Sequence, residues 1–322
     1  MQRRILVPLD GSALSEAVLA HAVLLAHTMG SALTLLRVVH PPVVVSPLAG
    51  AVAPSALLYE TWEEEPAAAR DYLSTMAEQL NAEKLDIQLE VLEGDPAEAV
   101  VYAAQDPRIA ATAMATHGWS GLRRWVFGSV TERVLHAAPT PMLIVRPQED
   151  GEKLVVPPAR VYRTIVVPLD GSPLAEQALA EAQPLAQASG ATLLLLSVVT
   201  GNLNYLPAEG TPEPPWVAAT RQAEADELGV YLQSTADRLR EAGLTVRTQL
   251  AYGHPGELIL RETDQAEADL IVMATHGRGG LPRIWLGSVA LKVVQSAMRP
   301  VLLVRARPDE NLAPRPLHHS NN

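Results

Sequence analysis

The sequence predicts an α/β protein built from two repeated, open, mostly parallel sheets with helices on both faces. Three observations predict it. The chain has 322 residues, more than one ordinary domain and enough for two. Short apolar strands alternate with helical segments, the pattern of a parallel sheet covered on both sides. The second half also repeats the first. Ile5-Leu-Val-Pro-Leu-Asp-Gly-Ser recurs as Ile165-Val-Val-Pro-Leu-Asp-Gly-Ser, and Met114-Ala-Thr-His-Gly recurs at Met273. Pro141-Met-Leu-Ile-Val-Arg recurs as Pro300-Val-Leu-Leu-Val-Arg. From Ile5 to Val39 the gapless match to Ile165–Val199 holds 20 identities in 35 positions. Two copies of domain size make a tandem duplication rather than a solenoid.

Each element of the first repeat follows from local pattern, and the second repeats the scheme. Arg4–Leu9 is a short apolar strand, and Asp10-Gly11-Ser12 turns the chain. Leu14 to Met29 is helical in pattern and closes at Gly30. Leu33–Val39 is a strand apolar enough to be buried. A Pro-rich stretch follows from His40 to Pro54, matched by Thr200 to Trp216, and long loops at fixed places are often lids. Ala67 to Ala82 reads as a helix, with the acidic run Glu63–Glu65 as its solvated start. Asp86–Leu92 is the next strand. Gly94-Asp95-Pro96-Ala97-Glu98 opens a helix with Asp95 as N-cap and Pro96 in the first turn. Ala110–Ala115 is a strand, a helix begins near Ser129, and Met142–Val145 is the final strand. The expected division is a first domain over 1–146, a linker over 147–159 marked by Pro157-Pro158, a second domain over 160–308, and a flexible polar tail over 309–322.

Composition narrows the function. Apolar residues make up 48% and aromatics only 4%, so the core must be aliphatic. A net charge of −11 argues against a broad nucleic-acid or anionic-membrane surface, though not against a local cationic pocket. There are no cysteines, which removes disulfides, thiolate metal sites and Cys nucleophiles, and fits a cytoplasmic setting. No stretch is read as a signal peptide or a membrane span. GxxxxGK[ST], GxGxxG, HExxH and GxSxG are absent. The histidines away from the repeated motif show no metal-ligand spacing.

The strongest chemical signal is Ala-Thr-His-Gly, nine residues, Gly-Ser. It runs from Ala115-Thr116-His117-Gly118 to Gly128-Ser129, and again from Ala274-Thr275-His276-Gly277 to Gly287-Ser288. Each copy follows a strand and ends where a helix starts. A helix N-terminus offers unpaired N–H groups and partial positive charge, and glycine lets a phosphate approach the backbone. The same residues also fit a plain capping box of Ser129 with Glu132. Asp10 and Asp170, at a strand end, fit a carboxylate that accepts ribose hydroxyls. Taken alone, they fit better a turn in which Ser12 and Ser172 cap the next helix.

Together these residues resemble the universal stress protein family in its tandem form, over about nine-tenths of the chain. The resemblance implies an open five-stranded, Rossmann-like sheet of the adenine nucleotide alpha hydrolase kind in each half. Its nucleotide-binding members carry Gly, two residues, Gly, nine residues, Gly, then Ser or Thr. Here Ala115 and Ala274 replace the first Gly. By resemblance Asp10 and Asp170 hold the adenosine end, and Val38 and Val198 meet the adenine. Thr116, Gly118, Gly128, Ser129, Val130 and Thr131 line the ribose-phosphate path of the first half. Thr275, Gly277, Arg278, Gly287, Ser288 and Val289 line that of the second, where Ala290 replaces the Thr131 hydroxyl. Pro8, Leu9 and Met114, with Pro168, Leu169 and Met273, complete the two implied sites.

The resemblance implies an ATP-binding stress-response module with one adenine-nucleotide site per repeat and Mg²⁺ entering through the phosphates. Nucleic acid and membrane are not expected partners. The family's last strand commonly pairs across a dimer, which a tandem chain can satisfy within itself; a further homodimer stays open. Two alternatives also stay open: a slow ATPase or autophosphorylating enzyme using Ser129 or Ser288, and a nucleotide-free scaffold.

Overall fold

The computed structural model describes residues 2–39, 55–116, 128–146, 161–201, 214–276 and 286–306, with backbone alone for residues 55–64 and 82. The expected linker 147–159, the tail 309–322 and most of the two Pro-rich stretches lie outside the described residues.

The first repeat runs β1 (Arg4–Pro8), α1 (Ala13–Glu16), α2 (Leu19–Met29), β2 (Ala32–Val39), α3 (Ser55–Gln79), β3 (Ile87–Glu93), α4 (Pro96–Ala103), β4 (Ile109–Ala115), α5 (Ser129–Ala137) and β5 (Met142–Val145). The second runs β6 (Thr164–Pro168), α6 (Pro173–Glu176), α7 (Leu179–Ser189), β7 (Thr192–Val199), α8 (Pro215–Glu241), β8 (Val246–Tyr252), α9 (Pro255–Gln265), β9 (Leu270–Ala274), α10 (Ser288–Ser296) and β10 (Val301–Val304).

The ten strands of the described residues join one sheet in the order β3-β2-β1-β4-β5-β10-β9-β6-β7-β8. Within each repeat every pairing is parallel. The halves meet where β5 pairs antiparallel with β10, Val301 opposite Ile144 and Leu303 opposite Met142. Both strands are buried throughout, so neither presents an open apolar edge. Across the same junction α2 packs on α7. Arg305, just past β10, donates to the Ala138 carbonyl at the end of α5, 3.1 Å away.

The sequence explains which strands sit where. β2 and β7 are almost continuously aliphatic and are buried on both faces. β3 and β8 carry charged or polar residues among apolar ones and form the two outer edges. Among the described residues two large aliphatic cores result, one on each face, each drawing residues from both repeats, beside a small third cluster of Val199, Ala225 and Leu228. Between β1 and β4 the strand order reverses, and in open α/β sheets ligands bind at the strand C-termini beside such a point.

Two helices differ from the sequence expectation. Leu14–Met29 is not one helix but two, because the ladder tightens: the Val18 N–H bonds the Ser15 carbonyl and the His21 N–H bonds the Val18 carbonyl. The second repeat tightens in the same place, with the Ala178 N–H on the Ala175 carbonyl. Gly30 does close α2, at φ 59°. The helix expected from Ala67 starts at Ser55 and runs through Pro66, so Glu63–Glu65 lies inside it rather than at its start. Proline removes one N–H but does not forbid helical φ. The buried stripe Ala69, Leu73, Met76 and Leu80 then anchors the C-terminal half against the sheet.

Candidate functional site

The crevice begins where β1 stops. The Leu9 N–H donates to the Leu36 carbonyl at 2.8 Å, and the Leu169 N–H donates to the Leu196 carbonyl at 2.8 Å. Pro8 and Pro168 are half-buried, and Leu9 and Leu169 are buried. The chain then turns through Gly11 at φ 80° and Gly171 at φ 79°, which residues with a Cβ rarely adopt. An Asp10 carboxylate oxygen accepts from the Ser12 N–H at 2.9 Å and from the Ser12 hydroxyl. Asp170 accepts from the Ser172 N–H at 3.0 Å. The serine hydroxyls cap the next helix, Ser12 accepting from the Ser15 N–H and Ser172 from the Ala175 N–H. The turn chemistry expected for these residues is therefore present. Asp10 is exposed and Asp170 half-buried at the same edge.

Val38 and Val198 sit one residue before the ends of β2 and β7, half-buried against the core that also holds Met114 and Met273. Ala115 is half-buried and Ala274 buried at the ends of β4 and β9. Thr116 and Thr275 continue those strands, each N–H donating across to the Val145 or Val304 carbonyl at 2.9 Å. The expected residues of each half thus gather on one edge: Pro8, Leu9, Asp10, Val38, Met114, Ala115 and Thr116 in the first, and Pro168, Leu169, Asp170, Val198, Met273, Ala274 and Thr275 in the second. Gly118, Gly277 and Arg278 lie outside the described residues.

The starts of α5 and α10 decide between the capping box and an open helix end. Gly128 is the N-cap of α5, and its carbonyl accepts from the Glu132 N–H at 2.9 Å. Gly287 does the same for the Leu291 N–H in α10, also at 2.9 Å. Ser129 and Ser288 are therefore already inside their helices, one position too late to cap them. Among the described residues no side chain caps either helix. Elsewhere α1, α4 and α6 carry Ser12, Asp95 and Ser172 as side-chain caps. The Ser129–Glu132 capping box is thus not formed, because glycine occupies the cap. Ser129 and Ser288 are exposed, and Val130 and Val289 half-buried.

Glycine here supplies room rather than conformation, since φ is −56° at Gly128 and −62° at Gly287. The Gly287 N–H donates to the Thr275 carbonyl at 2.8 Å, and a Cβ on Gly287 would come within 3.2 Å of that oxygen. Thr131 serves a different end: it is 1% exposed, and its hydroxyl donates to the Ala115 carbonyl at 3.2 Å. Its proton is committed to the strand end, so in this arrangement the hydroxyl, unlike the backbone N–H, offers a phosphate no donor. Ala290 therefore removes a helix-to-strand link in the second repeat. His276 Nδ1 lies 3.2 Å from the Thr275 hydroxyl, which also accepts from the Ala306 N–H.

One crevice residue was not singled out from sequence. Arg37, on β2, donates to the Leu9 carbonyl at 3.3 Å and lies over the Tyr72 ring, 5.6 Å from its centre. The Tyr72 hydroxyl donates to Glu16 at 2.9 Å, and burial, helped by Glu16, pushes the phenol far above its ordinary range. The available signal was the mismatch between repeats: Arg37 aligns with Ser197 at the end of an otherwise aliphatic strand.

Among the described residues no group of three or more His, Asp or Glu side chains converges as a metal site. Among them, too, no helix is long and apolar enough to cross a membrane.

Fold and crevices define a duplicated, doubly wound α/β protein whose candidate binding edge is the strand C-termini. The chain belongs to the universal stress protein family, whose model matches residues 1–146 and 161–305. It is 30% identical over 310 residues to a universal stress protein of Mycolicibacterium smegmatis, covering 94% of this chain and 97% of that one. A universal stress protein of Thermus aquaticus is 37% identical over 145 residues, covering 45% of this chain and all of the relative. In fold, the chain matches a universal stress protein from Archaeoglobus fulgidus at TM-score 0.65 and 20% identity, over 94% of this chain and 98% of the other.

Proposed function

We propose that the protein is an ATP-binding stress-response module of the cytoplasm, with one nucleotide site per repeat, acting by nucleotide-dependent regulation or binding. The observation that carries this is the pair of glycine-capped helix ends at the edge of the sheet. In each, the first-turn N–H groups of residues 129–131 or 288–290 have no capping side chain among the described residues. That is the arrangement a phosphate chain takes up. Asp10 and Asp170 would accept from ribose hydroxyls, and Val38 and Val198 would form the apolar wall for adenine. Mg²⁺ would enter on the phosphates. With a net charge of −11, nucleic acid is not the proposed polyanion.

Heat release from the purified chain followed by ultraviolet detection of nucleotide, then ATP titration with and without Mg²⁺, tests this. Adenine nucleotide in the supernatant, or a saturable titration, is expected. Neither signal from folded protein would overturn the proposal and favour a nucleotide-free scaffold.

A further inference from the structure

The two crevices differ beneath the Asp turn. In both repeats the carbonyl that precedes the aspartate accepts from a side chain at the same position of the second strand. In the second repeat this donor is Ser197, fully buried, with its hydroxyl 2.6 Å from the Leu169 carbonyl. In the first it is the Arg37 guanidinium, 3.3 Å from the Leu9 carbonyl.

A guanidinium does more there than a hydroxyl can. It lies directly under Gly11, where a Cβ would come within 3.2 Å of Arg37 Nη1. It also covers the face of Tyr72, which reaches Glu16 of α1 through its hydroxyl. Arg37 therefore ties the turn that carries Asp10 to α3, the helix that follows the long connection after β2, and indirectly to α1. Its planar fork and delocalised charge suit both contacts at once.

In the second repeat the corresponding tyrosine, Tyr231, lies near Glu176 and Asp170, but the nearby arginine comes from elsewhere. Arg238, on α8, pairs with Glu176 at 3.3 Å. Its hydrogen bond goes to Glu176, and the Leu169 carbonyl is supported by the Ser197 hydroxyl.

We propose that Arg37 is a positioning residue that presets the nucleoside seat of the first repeat, and that the two sites are therefore unequal, the first binding the nucleoside part of the ligand more tightly. This rests on the nucleotide-binding proposal above. Arg37 holds the peptide between Leu9 and Asp10 and the Gly11 turn in place before ligand arrives. Less ordering is then left to be done on binding. The second turn, held by a neutral hydroxyl, keeps more of that cost.

The test uses the full chain in two backgrounds: Gly287→Val, which leaves the first site, and Gly128→Val, which leaves the second. Calorimetric titration with ATP is expected to show about tenfold weaker binding when Arg37→Ser is added to the first background. The second background is expected to show no change. Arg37→Lys, which keeps the charge but not the fork, is expected to fall between. Hydrogen exchange supplies a readout independent of ligand: the Ser12 and Ser15 amides exchange faster in Arg37→Ser, and those of Ser172 and Ala175 do not. Equal affinities with and without Arg37→Ser, or equal losses in both backgrounds, would overturn the proposal. A wild-type chain that takes up no ATP overturns the nucleotide proposal instead, and the exchange result still decides whether Arg37 holds the turn.

Discussion

Gly128 and Gly287 adopt backbone angles open to any residue, so it is their lack of a side chain that matters: at Gly287 it makes room for the Thr275 carbonyl, and at both helix ends it leaves the proposed phosphate path clear. A valine at Gly128 would place branched methyl groups in the path proposed for phosphate. Ser129→Ala removes only a hydroxyl from an exposed position and leaves the backbone N–H groups intact. Gly128→Val is therefore expected to weaken ATP binding more than Ser129→Ala, measured by calorimetry, and equal, negligible effects would count against this turn. A second residue-level expectation concerns the buried Arg4. Its guanidinium donates to the Thr34 hydroxyl at 3.0 Å, the Leu33 carbonyl at 2.9 Å and the Asp86 carboxylate at 2.9 Å, linking β1, β2 and the segment before β3. Arg4→Ala leaves buried acceptors without their donor and should cost about 2–3 kcal/mol in urea unfolding. The second repeat has Thr164 at that place, so an identical change there has no counterpart to lose.

Helix ends are where this family of elements was most and least legible. Asp95 and Pro96 mark the start of α4 in sequence, and the Asp95 carboxylate does accept from the Glu98 N–H at 3.0 Å. Ser172, buried, caps α6, and Ser172→Ala should cost about 1 kcal/mol by denaturant unfolding. Acid should erode a related set of contacts. The Arg108 guanidinium, helped by the Arg108 N–H, holds the Asp106 carboxyl down at about 2, and Arg133 holds that of Asp95 below its usual value. A depressed carboxyl stabilises the fold above its unfolded value near 4 and loses that contribution as pH falls toward 2. Asp106→Asn should therefore show a shallower loss of stability than wild type between pH 4 and 2. The strands were read to within about a residue, and for the inner ones the reason is that aliphatic runs buried on both faces leave no competing pattern. The α1–α2 break was not legible, since it rests on a tightened ladder that leaves the apolar spacing unchanged. Nor was the early start of α3, because Pro66 looks like a boundary in a sequence and is carried through in the fold. At the site, Asp10 and Gly128 announced themselves by repetition. Arg37 did not, because its meaning depends on a tyrosine 35 positions away.

At the scale of the whole molecule, duplication converts what would be two exposed sheet edges into one internal seam. The pairing of β5 with β10 and the packing of α2 on α7 make a single ten-stranded sheet with two continuous cores. A separated first half, residues 1–146, would expose the fully buried Met142–Val145 strand. It is expected to self-associate through that edge, giving a dimer by sedimentation analysis. Leu143→Asp in the same fragment should return it to monomer. The overall negative charge and the proposed binding of a polyanion are reconciled by the same architecture, because backbone N–H groups at two helix ends carry no formal charge. The count of nucleotides per chain tests this most directly. ATP titration of the wild-type chain by calorimetry should give two per chain, each of Gly128→Val and Gly287→Val should give one, and the double variant none. A folded wild-type chain that binds no ATP, or a double variant that binds like wild type, would contradict it.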